Sequence, residues 1–394
     1  MQSIRAVNKI LKRHIYTVGD SFSLTPEQIM IKEMAYDFAK EKIAPFSLEW
    51  DENGVFPVEA LKETAELGFG GIYIPEEQGG SGLGRFEASL VFEALAYGCP
   101  SFSAYLSIHN MVNWMIASFG NDKQKEEFCL PLSEMSLLGA YCLTEPNSGS
   151  DAASMRTTAV ERGDDFVING SKMFISGGSV ADLYLLMCVT GPKEISTLIV
   201  PKDSQGLSFG KKEMKMGWKN QPTTLVNFED CIVPKRNLLG DKGMGFKFAM
   251  QGLNGGRVNI ASCSLGGAQA VLDQTVQYTK DRKQFGKSIA DFQNTQFKLA
   301  ESASKLLTSR LAVRFAAQAL DQKDQDLIGL ASLAKLEATD NCFQVVDDCL
   351  QLFGGYGYLH EYGVEKVLRD LRVHRILEGT NEIMKLLIYR NLIK

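Results

Sequence analysis

The chain has 394 residues, 45% of them apolar, and a formal net charge of −5 with Lys and Arg interspersed among Asp and Glu. That length supports a large core divided over two or three domains, and no basic block is long enough for a nucleic-acid groove. The longest apolar runs, such as Leu183 to Val189, are too short to span a bilayer, and scattered cysteines without a C-x-x-C pair, beside few histidines without H-E-x-x-H, argue against a disulfide framework or a metal site.

Met1 to Gly19 carries Arg5, Lys9, Lys12 and Arg13 and no acid, with Ile4, Val7, Ile10 and Leu11 at near-helical spacing. Residues 1–23 are expected to be a mitochondrial transit peptide, a disordered basic tail being the alternative. Structure is predicted to begin at Thr25-Pro26-Glu27-Gln28, which offers an N-cap hydroxyl, proline at the first helical position and Gln28 three residues after the cap. Met30, Met34 and Phe38 continue one face until Pro45 ends the run. Further helices are predicted over Pro57 to Leu67, closed by Gly68, and Phe86 to Ala96, closed by Gly98. These elements form an expected N-terminal helical domain, residues 24–136.

From about Thr157 the pattern changes to short β-rich runs: Phe166 to Ile168, Leu183 to Val189, Thr197 to Val200 and Leu225 to Phe228. Asn169-Gly170 and Gly177-Gly178 punctuate them, which predicts a compact antiparallel barrel or sandwich over residues 137–241. Helical periodicity returns over roughly Phe246 to Asp281, Phe292 to Leu320, Asp326 to Phe353 and Asn381 to Leu392, lengths that suit a four-helix bundle over residues 242–394. The fold class is therefore α+β, in the order helical, β, helical.

Common nucleotide and hydrolase signatures are missing. There is no G-x-G-x-x-G and no G-x-S-x-G, and the P-loop-like Gly286-Lys287-Ser288 has Asp281 where its first glycine belongs. Gly255-Gly256 lies within a predicted helix and costs about 1 kcal/mol per glycine relative to alanine. Such a pair marks either close approach by a ligand or backbone, or a kink.

Tyr141-Cys142-Leu143-Thr144-Glu145-Pro146-Asn147-Ser148-Gly149-Ser150-Asp151 resembles the flavin-binding signature of the acyl-CoA dehydrogenase family. Phe174-Ile175-Ser176, Arg282-Lys283-Gln284-Phe285-Gly286, Gln351-Leu352-Phe353-Gly354-Gly355 and Glu378-Gly379-Thr380-Asn381-Glu382 follow in the family's order. The likeness covers residues 24 to 394. It implies non-covalent FAD, a homotetramer, the mitochondrial matrix and electron-transfer flavoprotein as acceptor. The segment Asn254-Gly255-Gly256-Arg257 and Ile376-Leu377 before Glu378 resemble the members that act on short branched acyl-CoA thioesters. Isobutyryl-CoA, converted to methacrylyl-CoA in valine degradation, is the expected substrate, with 2-methylbutyryl-CoA or butyryl-CoA as alternatives.

By this resemblance Glu378 is the base that takes the α-proton, while hydride leaves the β-carbon. Shielding from water would make that carboxylate more basic, and Thr380 can cap the helix that follows. Other family members carry the base on the helix of Gly252 to Arg257, at the position of Gly256. Tyr141, Leu143, Thr144, Ser150, Phe174, Ile175 and Ser176 are expected around the isoalloxazine ring and the phosphates, with Ser150 reaching FAD or CoA. Asn147 stands where glycine is usual, and a positive φ would be tolerated there. Arg282, Phe285, Phe292, Gln293, Gln351, Gly354 and Gly355 would meet the adenosine half of FAD from a neighbouring subunit, and Thr380, Asn381 and Glu382 complete the cofactor set. Asn254, Gly255, Gly256, Arg257 and Arg390 are the expected substrate contacts. Taken alone, most of these residues read as turns, caps or core. An acyl-CoA oxidase, or a non-catalytic assembly protein that kept the fold, would share much of this pattern.

Overall fold

A computed structural model describes residues 24–393; the transit-peptide segment lies outside the described residues. The N-terminal helices are α1 (Pro26–Phe38), α2 (Ser47–Asn53), α3 (Val58–Glu66), α4 (Arg85–Gly98), α5 (Pro100–Phe119) and α6 (Asp122–Ser133). The Thr25 capping box forms as its sequence predicts, Thr25 accepting from the Gln28 N–H while Gln28 accepts from the Thr25 N–H. Gly68 adopts φ 79° and closes the turn after α3. Gly98 does not act as a cap. It is the last residue of α4, and Cys99, in extended conformation, ends the helix.

The middle of the chain contains β1 (Gly139–Cys142), β2 (Thr158–Arg162), β3 (Asp165–Ser176), β4 (Leu183–Gly191), β5 (Glu194–Pro201), β6 (Leu207–Phe209), β7 (Thr223–Pro234) and β8 (Leu238–Leu239). They pair in the order β6-β7-β3-β2-β4-β5-β8, and β1 adds to β4. The expected β domain is present, but its sheet is mixed, because β1 and β2 both run parallel to β4. The segment from Leu143 to Thr157 links β1 to β2, which follow one another along the same edge of β4, and it carries most of the Tyr141 to Asp151 motif.

The C-terminal helices are α7 (Gly245–Asp281), the short hairpin β9 (Lys283–Gln284) and β10 (Lys287–Ser288), α8 (Gln293–Asp321), α9 (Leu327–Phe353), α10 (Val364–His374) and α11 (Asn381–Leu392). Helix α10 was not among the predicted segments. Helix α7 joins the two cores. Its Ile260 and Cys263 pack with the N-terminal helices and sheet, and its Val258, Leu265 and Leu272 pack with Leu306, Val313 and Val345 of the bundle. All eight cysteines are buried free thiols, as their scattered spacing predicted.

One buried ion pair fixes the loop from β1 to β2. Lys172 of β3 donates to Glu145 Oε1 at 2.8 Å and to the Leu143 carbonyl at 2.9 Å. Glu145 also accepts from the N–H groups of Arg156 and Thr157, at 2.7 and 2.9 Å. Both side chains are buried. Removing one partner of such a pair leaves an uncompensated charge in the interior, so Lys172→Met is expected to cost roughly 3–5 kcal/mol. Urea unfolding of wild type and variant measures this, and a loss below about 1 kcal/mol would count against this anchoring role.

Candidate active site

The loop between α10 and α11 holds its glutamate under strain. Glu378 adopts φ 56° and Gly379 φ 91°; for a non-glycine residue a left-handed backbone costs about 1–3 kcal/mol. Three helices offset that cost. From α7, Arg257 Nε donates to the Glu378 carbonyl at 3.3 Å, while its Nη1 donates to Asn254 Oδ1 at 2.7 Å. From α9, Lys335 Nζ donates to the Gly379 carbonyl at 2.9 Å and to Asn381 Oδ1 at 2.7 Å. At the start of α11, Thr380 Oγ1 accepts from the Ile383 N–H at 3.4 Å, the cap its position suggests. Asn381 Nδ2 donates to Thr339 and Asp340 of α9, at 3.0 and 2.9 Å.

These bonds tie several of the expected site residues to the Glu378 loop. Asn254 and Arg257 make hydrogen bonds to each other and to the main chain of Glu378. The polar atoms of Asn381 are engaged within the protein, so its side chain anchors the loop. The space over the glycine pair is occupied by side chains. A Cβ at Gly256 would fall 2.3 Å from Glu378 Oε2, and one at Gly255 would fall 2.5 Å from Arg85 Nη1. The pair does mark a close approach, but by two charged head groups.

Glu378 Oε2 is buried and has no hydrogen-bond partner. Burial pushes the carboxyl up to about 7, against the pull of Arg257 and Lys335. Burial pushes Lys335 down to about 7, while the Glu378 charge favours its protonated form. Tyr141 from β1 comes within electrostatic reach of the same carboxylate. Its hydroxyl is also buried without a partner, and burial first, then Glu378, raises its pKa well above the usual value. A poised carboxylate beside unsatisfied polar atoms is the arrangement of a general base awaiting its substrate.

The Met173 N–H donates to the Thr144 carbonyl at 2.8 Å, which places Thr144 beside Phe174. Phe174 is 60% exposed and adopts φ 60°. A large ring held open on a strained backbone suits a flat cofactor stacked on it. Ser176 pairs with Thr223 at the end of β3, and Ser150 is exposed. Ile175 points into the core instead, so only its main chain is available. The Leu143 carbonyl is taken by Lys172. Asn147 is not among the residues with positive φ, so the turn does not need the tolerance its replacement of glycine suggested.

A cleft lies at the other end of α7. Arg282, Gln351, Gly354, Gly355 and Tyr356 line a cleft of about 370 Å³. The Arg282 guanidinium lies over the Tyr356 ring, 5.2 Å from its centroid. Built Cβ atoms at Gly354 and Gly355 meet nothing within 4 Å, and Gly354 adopts φ 61°, so these residues both cap α9 and leave their outer side clear. Phe285 nearby is 93% exposed, edge-on to Phe292, and Gln293 is exposed at the start of α8. At about 1.5 Å per residue, α7 separates Gly256 from Arg282 by roughly 39 Å. Arg390 and Leu386 are exposed on α11, and Glu382 is exposed in its first turn; Met384 and Asn381 supply the buried face.

Lys172, Lys335, Arg85 and Tyr73 were missing from the sequence-based set. Lys172 had a signal: it continues the inward face of Phe166 and Ile168 on β3, where a lysine must have a partner. Lys335 lies at an apolar position of α9, between Ala334 and Ala338. Arg85 and Tyr73 gave no comparable local sign.

Three family models, for the N-terminal, middle and C-terminal domains of acyl-CoA dehydrogenases, match residues 25–136, 140–231 and 243–393. The mitochondrial isobutyryl-CoA dehydrogenase of Bos taurus is 51% identical over 380 residues, spanning 96% of this chain and 91% of the relative. That of Dictyostelium discoideum is 52% identical over 396 residues, spanning 99% and 95%. Among solved structures, butyryl-CoA dehydrogenase from Megasphaera elsdenii superposes with a TM-score of 0.92 at 37% identity, over 94% of this chain and 99% of that one.

Gly256→Ala tests the geometry of the base. The clash is with the far end of a flexible side chain, so the fold is expected to lose at most about 1 kcal/mol. The displaced carboxylate should lower single-turnover proton removal by about 10²-fold, the scale of a 1 Å misplacement. Thermal unfolding and rapid kinetics measure the two effects; a normal rate would show that the carboxylate works from elsewhere.

Proposed function

The chain belongs to the acyl-CoA dehydrogenase family, and from that premise we propose that it oxidises isobutyryl-CoA to methacrylyl-CoA in mitochondrial valine degradation. It is an FAD-dependent oxidoreductase acting on short branched acyl-CoA thioesters, with electron-transfer flavoprotein as the acceptor. The observation that carries the reading is the Glu378 carboxylate: buried, pushed up to about 7, and aimed at a position with no side chain. A non-catalytic protein that kept the fold would have no use for a strained backbone that presents an unpaired acid.

The chain's own residues divide the work. Glu378 takes the α-proton, the protonated acid being the neutral form that burial favours. Arg257 and Lys335 hold the loop and keep enough positive potential nearby for the carboxylate to ionise near neutrality. FAD, when bound, accepts the hydride that leaves the β-carbon. Phe174, Thr144, Ser176 and the main chain around Leu143 and Ile175 would cover the ring, and Ser150 would reach the phosphates or CoA. Arg282, with Gln351 and the open backbone of Gly354 and Gly355, fits a pyrophosphate and its adenosine, a guanidinium being able to bind two oxygens at once. Arg390, exposed on α11, is free to meet the CoA phosphates.

The separation along α7 calls for at least a second subunit, and the homotetramer is the assembly that the family resemblance implies. One FAD cannot reach both the Glu378 region and the Arg282 cleft of the same chain, so a neighbour's cleft would serve each site. Phe297, Leu311 and Phe315 of α8 are each more than half exposed, and apolar residues repeated along one helix suit an intersubunit contact.

Three measurements test the reading. Glu378→Gln keeps the shape and removes the proton acceptor, so flavin reduction in a single turnover should fall by roughly 10²- to 10⁴-fold or more with FAD still bound. For wild type, kcat/KM should fall about tenfold per unit as pH drops below about 7, where Glu378 becomes protonated. Across a panel of acyl-CoA thioesters, isobutyryl-CoA should have the highest specificity constant; preference for octanoyl-CoA would refute the substrate.

A further inference from the structure

Arg85 stands at the first residue of α4, where Asp321 accepts from its main-chain N–H at 2.7 Å. It is 8% exposed. Its guanidinium carbon lies 3.6 Å from the Tyr73 ring centroid and 4.9 Å from that of Trp114. Nη1 is buried without a hydrogen-bond partner. That atom rests on Gly255, next in sequence to the glycine facing the base. Tyr73 lies within electrostatic reach of both Arg85 and Glu378, and its hydroxyl accepts from Asn259 Nδ2 at 3.3 Å. The guanidinium, the phenol ring and the catalytic carboxylate therefore surround one stretch of α7.

We propose that Arg85 is a specificity-determining residue: its stacked guanidinium is the distal wall of the acyl site and discriminates against chains long enough to reach it. The proposal rests on the acyl-CoA reading above and extends it to chain length. Two aromatic faces hold the cation in place, and a side chain at Gly255 would displace it. A short branched acyl group ends before the wall. A longer apolar tail would have to pack against, or displace, a buried charged N–H that already lacks a partner, which is costly in a way that simple bulk is not. The wall thus excludes by charge, and an apolar residue of the same length should admit what Arg85 rejects.

The test uses the FAD-loaded enzyme and CoA thioesters of isobutyrate, butyrate, pentanoate and hexanoate. In wild type the specificity constant should fall from butyryl to hexanoyl, whereas an apolar pocket would raise it by about fourfold per methylene. In Arg85→Met the hexanoyl-to-isobutyryl ratio should rise by at least about tenfold, while Arg85→Lys should keep it within about threefold of wild type. A uniform loss on all substrates with the ratio unchanged would overturn the proposal. If Arg85→Met does not fold, the wild-type series decides: a steady rise with each methylene overturns it. Poor turnover of isobutyryl-CoA beside good turnover of butyryl-CoA would refute the substrate assignment alone, because the Arg85 ratio is then taken against butyryl-CoA.

Discussion

Two head groups of opposite charge lie against one turn of α7, and neither could be there if that turn carried side chains. Gly256 gives its place to the Glu378 carboxylate and Gly255 to the Arg85 guanidinium. Around this close approach the surrounding elements follow. Glu378 must leave α10 through a left-handed backbone to aim inward. Arg257, one residue further along α7, then catches the carbonyl of the same glutamate. Helix α9 supplies Lys335 against the next carbonyl, so the loop is held from both sides while its carboxylate stays free.

The polar interior divides into groups that are satisfied and groups that are not. Lys172 with Glu145, and Lys335 with Asn381, have partners within 2.8 Å. By contrast, Glu378 Oε2, the Tyr141 hydroxyl and Arg85 Nη1 are buried and unpaired. An unpaired buried polar atom is costly enough that few are kept without a use. Other buried atoms elsewhere in the protein are also unpaired, but these three converge on the same region of α7 and β1, where a substrate can recover the energy.

Features governed by neighbours in the sequence were legible in it. Thr25 and Thr380 cap the helices their spacing suggested, and α11 runs from Asn381 to Leu392 as read from its periodicity. The parallel pairing of β1 and β2 with β4 was not legible, because it depends on a crossover that no local run of residues records. The motif at Tyr141 to Asp151 pointed to the right region, but the lysine that anchors it arrives from β3. The glycine pair announced a close approach without naming the visitor. Asn254, Arg257 and Asn381 read as ligand contacts, because sequence alone does not distinguish a polar side chain facing a ligand from one supporting the residue that does.

The position of Glu378 Oε2 over Gly256 also bears on how such a base can change its address. Relatives that carry the carboxylate on the helix would project it from the place where this chain has only hydrogen. The two attachment points converge on one small volume, so a lineage can hand the proton acceptor from loop to helix while the substrate, the flavin side and the direction of attack stay as they are. The volume admits only one tenant. A chain with glutamate at both points would force two carboxylates together, and a chain with glycine at both would have none, so the exchange must be made as a linked pair. The glycine at 256 is in that sense the vacant half of a two-part lock, and its emptiness records which half this protein uses.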